Sequence, residues 1–130
     1  MHIYPIVTTP HLEECKFFYV NALGARVLFE QAWYLQMALG NFEIGFLSPD
    51  PPTRLPIHQN AQASTGLCLA VEMPEVRALH LKMLQRGFKP ASKPERFSNG
   101  EWTFSVTDPA GVVLNIVEVR SRKGSGLVEI

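Results

Sequence analysis

One order of elements runs through this chain twice, and that repeat constrains the fold more than any single motif. In the first half, Ile3 to Thr8 is short and largely apolar, which predicts a strand. Thr9-Pro10 predicts a helix start, with a hydroxyl at the N-cap and proline in the first turn, and Glu13 and Glu14 suit the positive end of the helix dipole. Leu12, Cys15, Phe18, Tyr19, Ala22 and Leu23 recur at helical spacing, and Gly24 ends the run. Arg26 to Glu30, Trp33 to Leu39 and Asn41 to Leu47 then predict three strands, because Leu35, Met37 and Leu39 alternate, as do Phe42, Ile44 and Phe46.

The second half repeats this order. Leu67 to Val71 predicts a strand, Pro74-Glu75 opens a helix with the stripe Val76, Leu79, Met83 and Leu84, and Gly87 closes it. Lys89 to Arg96, Trp102 to Val106 and Val112 to Val119 predict three further strands. Gly24 and Gly87 lie 63 residues apart, and that offset relates the halves. Two such units, about 3–47 and 66–119, make an α+β fold within one domain spanning 1–119. Between them, 48–65 carries Pro49, Pro51, Pro52 and Pro56 and predicts a linker. Residues 120–130 form a basic tail with Arg120, Arg122 and Lys123.

Composition narrows the class of partner. Twelve basic residues balance twelve acidic ones, so no electrostatic footprint for nucleic acid or anionic membrane is present. No apolar segment approaches the roughly 20 residues that span a bilayer, and the first residues do not resemble a secretory leader. Cys15 and Cys68 lie in apolar patterns and make no disulfide framework. The expectation is a cytoplasmic protein.

Two motifs sharpen the reading. Phe18-Tyr19-Val20-Asn21-Ala22-Leu23-Gly24 resembles the F-Y-x-x-x-L-G motif of the vicinal oxygen chelate superfamily, and Phe104 to Gly111 resembles its F-x-x-x-D-P-x-G turn. That superfamily includes glyoxalase I, bleomycin-resistance proteins and extradiol dioxygenases. The resemblance implies two βαβββ modules, each with its sheet curved around a cleft. Asp108 and Gly111 read as turn residues, and Phe18 and Tyr19 as core.

Catalytic members hold a divalent metal through ligands on the first and last strands of each module. Carried across, those positions fall at Tyr4, Leu67, Asn115 and Ile44, with Glu43 reached by a one-residue slip. Leucine and isoleucine have no donor atom, and a neutral amide is a weak ligand for zinc or iron. His2 is two residues before Tyr4; His11, His58 and His80 lie elsewhere. The expectation is no metal, no cofactor and no catalytic residue. Neither a nucleophile elbow, a phosphate loop nor a Cys-x-x-Cys pair occurs, and Glu43 and Glu101 are the candidate bases.

Parity with Asn115 and Ile44 assigns Phe42, Phe46, Val113 and Val117 to the cleft, joined by Tyr4, Ile6, Leu67 and Leu69, with Trp33 and Trp102 at the rim. The expected ligand-binding set is therefore Tyr4, Trp33, Phe42, Ile44, Phe46, Leu67, Leu69, Trp102 and Asn115. An apolar, aromatic cleft of this kind suits a planar or hydrophobic small molecule. The metal-free, bleomycin-resistance-like branch implies sequestration without chemistry, in a homodimer. Two alternatives stand beside it. One is a metal-dependent glyoxalase-like lyase or dioxygenase that uses His2, Glu43 or a partner-chain residue; the other is a structural or regulatory interaction module.

Overall fold

A computed structural model describes residues 1–50, 67–96 and 100–119. The 48–65 linker lies outside the described residues from 51 onward, and the whole basic tail lies outside them. Alternating strands and amphipathic helices generate β1 (Ile6–Thr8), α1 (Leu12–Leu23), β2 (Arg26–Gln31), β3 (Tyr34–Leu39) and β4 (Phe42–Leu47). The second series is β5 (Cys68–Met73), α2 (Val76–Gln85), β6 (Glu95–Arg96), β7 (Trp102–Thr107) and β8 (Val113–Glu118). Each series builds one four-stranded sheet, ordered β1-β4-β3-β2 and β5-β8-β7-β6. The first strand of each runs parallel to its last, and the other pairs are antiparallel. This is the expected α+β arrangement of two βαβββ units.

Several element ends shift for reasons of backbone chemistry. The first strand starts at Ile6 rather than Ile3, after Pro5, whose nitrogen has no hydrogen to donate. Helix α1 begins two residues beyond the Thr9-Pro10 signal, and Thr9 Oγ1 instead accepts the His11 N–H at 3.1 Å. Its far end is as expected: Gly24 takes a left-handed conformation at φ 69° and donates to Val20 O. The expected strand from Lys89 shrinks to Glu95–Arg96, since Pro90 and Pro94 interrupt any ladder. That stretch still follows β7: Ala91 N donates to Ser105 O at 2.8 Å, and Ser105 N donates to Ser92 Oγ at 3.0 Å.

The first compact unit comprises Met1–Leu67 together with Asp108–Val112. Its core lies between α1 and one face of the sheet, where Val7, Cys15, Tyr19, Met37, Ile44 and Phe46 have no exposed surface. Full burial of side chains this size contributes about 1.5–3 kcal/mol each. The two recognisable motifs meet here. Tyr19 donates its hydroxyl to Asp108 Oδ2 at 2.6 Å, and Asp108 Oδ1 accepts the N–H groups of Ala110 and Val112 at 2.8 Å each. Asp108 is thus a turn residue, as read, and also the buried acceptor for a helix residue 89 positions earlier. Burial pushes its carboxyl above the ordinary value despite these donors. Burial and the neighbouring Asp108 push the Cys15 thiol up to about 12.

The second unit, Cys68–Thr107 with 113 onward, buries Val76, Leu79 and Met83 of α2 against Phe104, Val106, Leu114 and Ile116. His80 meets the Phe104 ring edge-on at 4.9 Å, and the Arg77 guanidinium lies 4.5 Å over the Trp102 ring. Those contacts mark the helix-facing side of this sheet.

Candidate functional site

Register decides which side chains share a face. In the first unit, Phe46 packs against Tyr19 of α1 with ring centroids 5.4 Å apart, so its face is the helix side. Leu35 pairs with Phe46, Met37 with Ile44 and Leu39 with Phe42, so all six belong to that side. The alternate residues therefore point away from the helix. There Gln36 pairs with Gly45 and Ala38 with Glu43, while Ile6 pairs with Gly45 from β1. A bulge in β2 between Val27 and Phe29 brings Phe29 opposite Gln36, onto the same open face.

A continuous polar chain crosses this face. His2 Nε2 stands 3.4 Å from Glu43 Oε2, and Glu43 Oε1 accepts from Gln36 Nε2 at 2.7 Å. Gln36 Oε1 accepts from the Tyr34 hydroxyl, and Tyr34 has Tyr4 as a further hydrogen-bond partner. His2 and Tyr4 rings meet edge-on at 5.3 Å. Burial, then Tyr4 and Glu43, push the Tyr34 phenol up to about 12, which keeps it a neutral donor at physiological pH. Gly45 leaves room beneath it, because a Cβ there would overlap the Tyr34 hydroxyl and displace the ring.

In the second unit, Asn115 pairs with Ala70 and Ser105, opposite in parity to the buried Leu114 and Ile116. It sits on the open face and donates to Cys68 Sγ at 2.9 Å. A hollow of about 390 Å³ opens there, lined by Ser92, Glu95, Thr103, Ser105, Asn115 and Val117 among others. The Thr103 hydroxyl donates to Ile116 O at 2.8 Å, and Ser92 and Ser105 hydroxyls lie 3.4 Å apart.

Of the nine expected ligand-binding residues, Tyr4 and Asn115 are on open faces. Ile44 and Phe46 are instead fully buried under α1, and Phe42 shares their parity at the strand end. Leu69 pairs with the buried Leu114, which puts it on the α2 side, and Leu67 precedes it at the same parity. Trp102 faces Arg77 of α2. Trp33 is half-buried in the β2–β3 turn beside Tyr34, with ring centroids 5.9 Å apart. The cause is a single-residue slip. Gly45 and Asn115 are the matching positions, through their partners Ile6 and Ala70, so the offset between first strands is 64 and Tyr4 corresponds to Cys68. One residue of slip exchanges the faces of a strand. Sequence reasoning missed Tyr34, Gln36, Ser92, Thr103 and Ser105. The signal for Gln36 and Ser105 was a polar residue between apolar alternates, Leu35 and Met37 in one case and Phe104 and Val106 in the other.

The family model of the Glyoxalase/Bleomycin resistance protein/Dioxygenase superfamily matches residues 2–116. The chain belongs to that superfamily. Among solved structures of this superfamily's fold, a lactoylglutathione lyase from Agrobacterium tumefaciens is 16% identical, with 90% of this chain and 92% of that one covered and a TM-score of 0.70. TioX from Micromonospora sp. ML1 is 14% identical over 92% and 97%, at 0.69. A bleomycin-binding protein complexed with bleomycin is 16% identical over 92% and 99%, at 0.62. No curated protein matches.

The superfamily thus spans enzymes and binding proteins, and the donor set tests whether the residues present fit a metal. In the first unit the strong donors on the open face are His2 and Glu43, and Glu43 is engaged by Gln36 and His2. In the second, the open-face pairs of β5 and β8 are Cys68 with Val113, Ala70 with Asn115 and Glu72 with Val117, and Glu95 stands opposite Thr103. These donors are spread along the face, and among the described residues no three His, Cys, Asp or Glu side chains gather. The described residues of neither unit therefore fit a divalent metal held by that unit.

Proposed function

We propose that this protein binds a small organic molecule on the open face of a sheet and holds it without chemical conversion. The observation that carries the reading is the 390 Å³ hollow of the second unit, which has ligand-pocket dimensions and converging hydroxyl, amide and carboxylate groups. The Tyr4–Tyr34–Gln36–Glu43–His2 chain supports it, since its members orient one another and leave ring edges for a flat ligand. The preferred ligand is planar and carries hydrogen-bonding substituents, because the apolar side chains first assigned to the cleft lie under the helices. Likeness to a bleomycin-binding protein supports sequestration as the class of function.

The reading includes pairing of two copies in the cytoplasm. Its support is the edge strand β2, where Val27, Leu28 and Phe29 are 37–48% exposed. Sedimentation equilibrium tests the pairing.

The test of function is a thermal-shift screen of the dialysed protein against planar antibiotics, run beside metal analysis. A ligand at 100 times its Kd adds about 2.7 kcal/mol. Stabilisation by a compound recovered unchanged supports the proposal. One equivalent of tightly held nickel, zinc or iron, with turnover of the bound compound, overturns it.

A further inference from the structure

A second cavity lies in the second unit, on the α2 side of the sheet; it shares Ser92 with the first hollow but not Asn115. It measures about 660 Å³, and its lining divides by chemistry. The body is apolar: Trp102, Leu84, Pro90 and Pro94. Arg77, Lys89 and Lys93 converge on it, with His80 beside them and no carboxylate in the lining. Among the described residues none of these three cations forms an ion pair. Arg77 is fixed over the Trp102 ring at 4.5 Å, which holds one guanidinium in place at the aromatic wall. Three positive charges around an apolar pocket repel a cationic occupant, give a neutral one no charge attraction, and favour one with a negative group attached to a ring.

We propose that this cavity is a binding site for a small aromatic anion, a carboxylate or sulfonate, whose ring lies against Trp102 and Leu84 while its charge meets Arg77, Lys89 and Lys93. The two proline residues stiffen the segment that carries the lysines, and the Ala91–Ser105 and Ser105–Ser92 bonds tie it to β7. The site is therefore largely formed before a ligand arrives.

The probe is 8-anilino-1-naphthalenesulfonate, titrated into the full chain in a Trp33→Phe background so that Trp102 is the reporting indole. Expected are saturable quenching of Trp102 emission at one probe per chain and weaker binding as salt rises. The triple variant Arg77→Gln/Lys89→Gln/Lys93→Gln is expected to lose about tenfold or more in affinity, as removal of charge-assisted contacts requires. The neutral analogue N-phenyl-1-naphthylamine, tested on the unaltered site, is expected to bind about tenfold more weakly than the sulfonate. Lys82→Gln, which removes a cation of the same helix outside the lining, is expected to leave probe binding unchanged. Equal affinity of the triple variant, equal binding of the neutral analogue, loss of binding in Lys82→Gln, or no saturable quenching would each overturn the assignment.

Discussion

Replacing Gly45 by alanine tests the open-face geometry through a single methyl group. A Cβ at this position overlaps the Tyr34 hydroxyl and stands 2.9 Å from Cζ and 3.2 Å from Cε1, inside the 3.5–4.0 Å of ordinary carbon contacts. Gly45 is in mid-strand, paired with Ile6 on one side and Gln36 on the other, so the backbone has little freedom to yield. Tyr34 must swing away, which abandons its bond to Gln36 at about 0.5–1.5 kcal/mol, or the strands must part, at about 1–3 kcal/mol. Against this, alanine restricts the unfolded chain and returns about 0.4–1 kcal/mol. Swinging Tyr34 is the cheaper course, so the net expectation for Gly45→Ala is a loss of up to about 1 kcal/mol, read from the urea midpoint by circular dichroism. In a Tyr34→Ala background the obstruction is gone, and the same substitution becomes neutral or mildly stabilising. The double-mutant cycle thus yields a coupling of about 1 kcal/mol. An equal loss in both backgrounds would refute the placement of the Tyr34 ring over Gly45.

Other expectations follow from the same faces. Ile44→Ala costs about 2–5 kcal/mol in urea unfolding because its side chain is fully buried, whereas Glu43→Gln on the open face costs under about 1 kcal/mol; similar losses would undo the parity assignment. Tyr19→Phe leaves the buried Asp108 carboxylate without its side-chain donor and costs about 1–3 kcal/mol. Burial raises the Asp108 pKa, so its contribution to stability is full below the ordinary 3.8 and is lost as pH rises through the folded value. Asp108→Asn is expected to flatten that part of the stability–pH curve, and an unchanged slope contradicts the sign. In native protein a thiol reagent at pH 8 modifies the exposed Cys68, while the buried Cys15, its thiol pushed up to about 12, reacts only after unfolding.

The element order was legible because helix ends and strand alternation leave strong local marks. Gly24 and Gly87 both take positive φ at helix ends, and four of the apolar alternates of β3 and β4, Leu35, Met37, Ile44 and Phe46, are buried. Face assignment failed for a specific reason. The 63-residue offset came from the two helix-ending glycines, yet Gly24 lies five positions after the buried Tyr19 and Gly87 only four after Met83. The buried series Cys15 to Leu79 and Tyr19 to Met83 keeps an offset of 64, and the strands follow it. Nothing local to Ile44 or Trp102 reveals which face carries the helix, because an apolar side chain suits a core and a binding cleft equally. Only the pairing of Phe46 with Tyr19, and of Trp102 with Arg77, separates the two.

Calorimetric titration of the strongest compound from the antibiotic screen offers the sharpest discrimination between the two sides of each sheet. Asn115→Ala in the hollow of the second unit is expected to weaken its binding about tenfold or more, with Trp102→Phe leaving the affinity unchanged. Full affinity in Asn115→Ala, together with a loss in Trp102→Phe, would mean that the ligand is held on the helix side.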